Sequence, residues 1–307
     1  MSTAEPWPAL PLAGWRDSYE TLHLWTQVVG KVRLALAPMV NHWWQVPLYV
    51  CARGLTTSAM PYGDRVVELT FDFRDHVLRV ETSDGGSRTV ALAPRSVADF
   101  HGETMAALRA VGVDVRIHRR PVELPAVIPF DEDETHAAYD GEAVRRCWRI
   151  LAQAGRVLGE FRGRFVGKCS PVHFWWGSFD LACTRFSGRR APPHPGGIPN
   201  LPDRVAREAY SHECMSAGWW PGGGAVQEPA FYAYAYPEPA GCPEAGIRPD
   251  AAYYHPELRE WILPYDAVRT AADPDALLLA FLESTYDVVA RLGAWDRSAL
   301  ERAGEAT

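Results

Sequence analysis

The chain has 307 residues, of which 47% are hydrophobic and 22% charged, with a net charge of −7. Those proportions belong to a folded globular protein and exclude a disordered one. The acidic balance, without any long basic run, argues against a nucleic-acid partner. No stretch of about 18 uninterrupted apolar residues is present to make a membrane span.

In chain order, "MSTAEPWPALPLAGW" opens without a basic region followed by an apolar one, so it is not expected to be a secretory leader. The six cysteines (51, 147, 169, 183, 214 and 242) are scattered without a CxxC pair. They read as reduced thiols of a cytoplasmic protein. Helical periodicity then covers "TLHLWTQVVGKVRLAL". After "WWQVPLYVCARGLTT" come three alternating strands, "VVELTFDFRD", "HVLRVETSD" and "SRTVALAP", with Asp84-Gly85-Gly86 as a hairpin turn. A helix follows Pro94. The long stretch from Val113 to Asp140 links to a second helix, "AVRRCWRILAQAGRVLGEF". Beyond it come "WWGSFDLACTRFSGR", four strand patterns from Arg207 to Asp266, and a last helix with Asp273 as N-cap and Pro274 at its first position. Twelve Trp and a basic set with only two lysines, Lys31 and Lys168, among 31 basic residues mark the composition; a GC-rich genome accounts for the arginine bias.

The two WW segments align without a gap at an offset of 132, which matches Cys51 to Cys183 and Arg53 to Arg185. Consecutive strands without a βαβ rhythm mean antiparallel pairing. The expected architecture is therefore α+β, with two similar helix–antiparallel sheet–helix units packed as one pseudo-symmetric body. The boundary falls near residue 125: 1–125 is the more structural unit, and 126–307 carries the candidate site.

The stretches "LHLWTQVVGKVRLAL", "NHWWQVPLYV", "GKCSPVHFWWGSFDLA", "TRFSGRRAPP", "AYSHE", "YAYPEP" and "LPYDAVR" resemble a bacterial domain-of-unknown-function family, number 5996. The likeness runs from Trp7 to about Trp295. It implies one protein rather than a fusion, and it brings no activity, cofactor or catalytic residue with it.

Candidate chemistry comes from strand parity, because side chains alternate between faces. Continued from His173 to Arg185, alternation puts His173, Trp175, Phe179, Leu181, Cys183 and Arg185 on an apolar face. Trp176, Ser178, Asp180 and Thr184 fall on a polar one. His212 shares a face with Cys214 and Ser216, and Tyr232, Tyr234 and Tyr236 stand opposite alanines. The expected ligand site is an aromatic pocket lined by Trp176, Ser178 and Tyr232, with His212 as general acid–base, Asp180 orienting it, and Tyr234 donating a proton. The Pro/Gly-rich stretch after Ser187 reads as a lid whose Arg189 meets an anionic group. Glu213 is expected to pair with Arg185 under a helix. His173, His212 and Glu213 are metal-ligand types, but neighbours on a strand point oppositely, so no metal site is expected. The sequence names no cofactor and leaves the oligomeric state open. The function it suggests is small-molecule binding with His/Asp acid–base chemistry. The alternative is a non-catalytic ligand-binding or interaction module that uses the tyrosine face.

Overall fold

The structure, a computed structural model, describes residues 5–302. The first four residues of the segment read for a leader, and 303–307, lie outside that range. Helix α1 (Arg16–Leu36) is buried on nearly all sides through its middle turns, from Thr21 to Arg33. Its buried face includes Thr21, His23, Thr26, Gln27, Lys31 and Arg33 as well as apolar residues, because α1 is enclosed by both halves of the molecule. After a 3-10 turn at Asn41–Trp43 come β1 (Tyr49–Cys51), β2 (Gly54–Thr56), β3 (Met60–Tyr62), β4 (Arg65–Asp72), β5 (Val77–Thr82) and β6 (Ser87–Ala91). They form an antiparallel sheet in the order β1-β2-β4-β5-β6, with β3 also on β4. The Asp84-Gly85-Gly86 turn joins β5 to β6, and Gly85 supplies its positive φ of 94°. Helix α2 (Val97–Ala110) starts at Ser96, whose hydroxyl accepts from Asp99 N.

Helix α3 (Gly141–Gly163) begins where Asp140 accepts from the Glu142 and Ala143 amides. The second sheet contains β7 (His173–Trp175), β8 (Asp180–Arg190), β9 (His212–Trp220), β10 (Ala230–Tyr236), β11 (Tyr253–His255) and β12 (Glu260–Pro264), in the order β11-β12-β10-β9-β8-β7. Short α4 (Asp203–Ala209) precedes β9, where extended chain was expected from Arg207. Short α5 (Tyr265–Arg269) leads to α6 (Pro274–Leu292), capped by Asp273 as the sequence indicated, and α7 (Arg297–Leu300) ends the described chain.

The antiparallel α+β expectation holds. The sheets meet edge to edge, where Leu48 and Phe174 exchange both backbone hydrogen bonds, at 2.9 and 2.8 Å. Helix α3 crosses this seam and packs on β1, β8 and β9, so one hydrophobic core runs through both halves. The offset of 132 does not match equivalent places. Cys51 ends β1, the first strand from the seam, whereas Cys183 lies inside β8, the second. Arg53 sits in a hairpin turn with Asp72 and Asp75, whereas Arg185 is fully buried in a strand. The shared residues thus serve different local structures.

Candidate functional site

A cavity of about 600 Å³ lies on one face of the second sheet, near the seam. Its floor follows from register. Paired residues share a face, and β8 pairs Ala182 with Gly218 and Thr184 with Ser216 on β9; β10 then adds Tyr232 beside Gly218 and Tyr234 beside Ser216. The opposite face carries Leu181, Cys183, Ala217, Trp219, Phe231 and Ala233, all buried in the core. Gly218 matters here. A Cβ at this position would fall 2.6 Å from the Tyr232 hydroxyl and 2.3 Å from the Leu181 carbonyl oxygen. Its absence lets Tyr232, on β10, lean across β9 and donate to the Asp180 carboxylate on β8.

Asp180 is buried and receives a second hydrogen bond from Ser178, and among the described residues no cation pairs with it. Burial raises its pKa from the ordinary carboxylate value to about 6, although both hydroxyl donors act to lower it. Across the cavity, Glu123 is raised to about 7, chiefly by burial and then by the nearby Asp180 charge. Its carboxylate lies over Gly177, where a Cβ would stand 2.0 Å from Glu123 Oε1. Tyr210 and Tyr234 share a hydroxyl–hydroxyl bond of 2.7 Å next to this acid pair. Two carboxyls with pKa values near neutrality, ringed by phenols, form a set able to take up and release protons.

The wall comes from the first half. Trp176 donates from its indole to Val46 O at 2.8 Å and lies flat against Gly30 of α1, a fit that any Cβ at residue 30 would destroy. His23 and Gln27, two turns and one turn earlier on α1, hold the two cavity loops. His23 Nε2 is 2.9 Å from Gly177 O, and Gln27 makes bonds of 2.9 and 2.8 Å to the Val122 carbonyl and amide. Burial lowers the His23 pKa to about 4, so the ring is neutral and Nε2–H donates. Lys31, His42, Trp43 and Trp44 complete this side. Residues 198–202 and α4 cover the cavity, with Asn200 donating to Leu124 O at 2.6 Å. His42, Trp43, Glu123 and Asn200, all lining residues, have φ between 54° and 62°. Such backbone is costly for non-glycine residues and collects where surroundings must place a side chain closely. Among the described residues no group of three or more His, Cys, Asp or Glu is placed to hold a metal ion.

A profile of one protein family matches residues 7–302. The chain belongs to the family of unknown function DUF5996. No curated protein and no solved structure matches it.

In this DUF5996 chain Trp176, Ser178, Asp180, Tyr232 and Tyr234 all line the cavity, Trp176 and Ser178 from the turn between β7 and β8. Thr184 and Ser216 join them and bond to each other at 3.0 Å. His212 does not. It shares the cavity face but pairs with Arg190 at the far end of β9, whereas Asp180 stands beside the Leu181–Trp219 pair. Eight residues of strand separate the two ends, roughly 26 Å at the usual rise. His212 bonds instead to Ser211 Oγ at 3.1 Å and packs against His42. Arg189 is no lid arginine. It binds Glu213 at 2.6 Å and the Ala294 carbonyl at 3.1 Å, on the other side of the sheet. Glu213 therefore does not pair with Arg185, whose guanidinium stacks 3.4 Å over the Phe161 ring, donates to Phe161 O and faces Glu283 at 3.6 Å.

Parity also fails across the β7–β8 turn. The pairs are Trp175 with Asp180 and His173 with Ala182, so odd residues of β7 share a face with even residues of β8. The four-residue turn, with Phe179 at a φ of 58°, inverts the alternation. Trp175 consequently lines the cavity together with Trp176, although opposite faces were expected. Lys31, Glu123 and Tyr210 escaped the sequence reading, because they reach the site from α1, an irregular link and a turn.

Proposed function

We propose that this protein binds a small molecule in the cavity under α4, and that Asp180 is the acid–base group acting on it. The observation that carries this reading is a buried carboxyl held by two hydroxyls, with no cation paired to it among the described residues, on the floor of a cavity large enough for a compact ligand. A solely structural carboxylate at such depth is ordinarily paired with a cation. Tyr232 orients Asp180 and stabilises its ionised form; Glu123 is the second carboxyl, poised to exchange a proton with bound ligand. The four lining tryptophans supply flat apolar walls, which favours a ring-bearing ligand. The concave, covered tyrosine face speaks for a ligand site and against a flat docking surface. We also propose that the two sheet-and-helix units form a pseudo-symmetric pair, with the site where their edges meet.

Native mass spectrometry of freshly purified protein tests the binding reading. A small molecule should accompany the parent chain and be lost from Asp180→Asn and Tyr232→Phe, both of which keep the side-chain shapes. Equal retention by all three would remove Asp180 from the site.

A further inference from the structure

Lys31, on α1, is only 4% exposed and lines the cavity. Among the described residues no carboxylate pairs with its ammonium group and no acceptor bonds to it; the centroids of the Trp176 and Phe130 rings lie 5.9 and 6.0 Å from Nζ. A buried amine without a counter-charge is expensive as a cation and cheap as a neutral base. Composition sharpens the point. This chain builds its cations almost entirely from arginine, including the buried Arg33 and Arg185. Both lysines lie at this one cavity: Lys31 lines it, and Lys168 bonds to its lining residue His42 at 2.6 Å and sits over Trp44 and Phe186. What lysine offers and arginine does not is an amine that can lose its proton and attack a carbon.

We propose that Lys31 is a nucleophilic amine that takes an aldehyde or ketone bearing a flat apolar group as a reversible imine in the cavity. The proposal rests on the cavity being the ligand site. Unprotonated Nζ adds to the carbonyl carbon, forming the C–N bond while the carbonyl oxygen takes up a proton. The nitrogen then loses its extra proton. Protonation of the new hydroxyl lets the nitrogen lone pair expel it as water, leaving the protonated imine. Water adding back reverses the sequence, so amine, carbonyl compound and one proton balance protonated imine and water without oxidant or reductant. Burial lowers the Lys31 pKa from 10.5 to about 8, which favours the reactive form. At pH 7.5 roughly a quarter of such amines are unprotonated, against about one in a thousand at the ordinary value.

The test is reductive trapping. The full-length protein is incubated with benzaldehyde and sodium cyanoborohydride, and benzylation at each amine is mapped by peptide mass spectrometry. Lys31 should be labelled at least ~10-fold faster than Lys168, and its rate should rise between pH 6 and 9. Benzyl alcohol, which cannot form an imine, should protect Lys31 and quench tryptophan fluorescence. Lys31→Arg, checked for folding by circular dichroism, should lose the fast benzylation and keep only the slow labelling of the remaining amines. Labelling of Lys31 no faster than Lys168 overturns the amine proposal. If benzyl alcohol still quenches, the cavity reading survives that failure; if it does not, the cavity reading falls too.

Discussion

Asp180 and Arg185 stand five residues apart on β8, on opposite faces, and both are buried. Arg185 meets an opposite charge: it donates to a backbone carbonyl, faces the Glu283 carboxylate at 3.6 Å and lies over the Phe161 and Tyr286 rings at 3.4 and 4.4 Å, although its Nε has no hydrogen-bond partner among the described residues. Asp180 has two hydroxyls and, among the described residues, no cation. One strand thus carries a buried charge with a counter-charge and a buried charge met only by neutral donors. The first holds layers together; the second is the one for which we propose a ligand. Burial alone does not separate structural from functional charge; the difference between these two is the counter-charge.

The largest effect should come from removing the charge that has a counter-charge. Arg185→Met removes the bond to Phe161 O and the ring stack and leaves Glu283 with Arg164 alone, at 3.6 Å, and is expected to cost about 3–5 kcal/mol, measured by urea denaturation. A loss below ~1 kcal/mol would mean that the stacking, which Met partly replaces, is all that Arg185 provides.

Asp180→Asn should behave differently. The folded chain holds the Asp180 proton up to about pH 6, whereas an unperturbed carboxyl releases it near 3.8. The folded state therefore binds more protons in that window, and stability falls as pH rises through it, by about 3 kcal/mol in all. Asparagine removes that loss. Measured against the parent, the variant should gain roughly 3 kcal/mol in relative stability between pH 4 and pH 8. An unchanging difference would place Asp180 in a solvated or cation-paired setting. His23 has the opposite sign: its pKa is depressed from 6.5 to about 4, so its contribution is present above 6.5 and lost as pH falls towards 4.

Gly218→Ala sharpens the contrast by geometry alone. The added methyl collides with the Tyr232 hydroxyl and a backbone carbonyl, at a cost of about 1–3 kcal/mol. It should also separate Tyr232 from Asp180, detected as a rise in the pH at which Asp180 titrates by NMR. Smallest of all is Glu213→Ala. Its partner Arg189 is about half exposed, so thermal melting should show a loss under ~1 kcal/mol.

The cavity floor was legible because β8, β9 and β10 obey strict alternation with small residues under the tyrosines. That pattern places Asp180, Tyr232 and Tyr234 together without any structure. It could not place His212, since parity assigns a face and not a distance along the strand. Nor could it carry through the 176–179 turn, whose four residues put Trp175 opposite Asp180 and so swap odd for even. The missing wall had no local signature. Lys31 and Glu123 come from segments far away in sequence, and their approach depends on Gly30 and Gly177 leaving room for Trp176 and Glu123. The helix caps at Asp273 and the hairpin at Gly85 were readable for the reason the site was only half readable: they are decided within a few residues.

The Leu48–Phe174 exchange turns two inner sheet edges into each other's cover. A free strand edge is a template for pairing with another molecule, so a chain cut between the sheets should associate through the uncovered edges rather than yield two well-behaved fragments. The cavity wall straddles the same join, with Lys31 and Trp44 on one side and Asp180 and Tyr232 on the other. A lodged molecule would act as a rivet across it. Present at 100 times its dissociation constant, it should raise the unfolding free energy of the whole body by about 2.7 kcal/mol, and both halves should still melt in a single step.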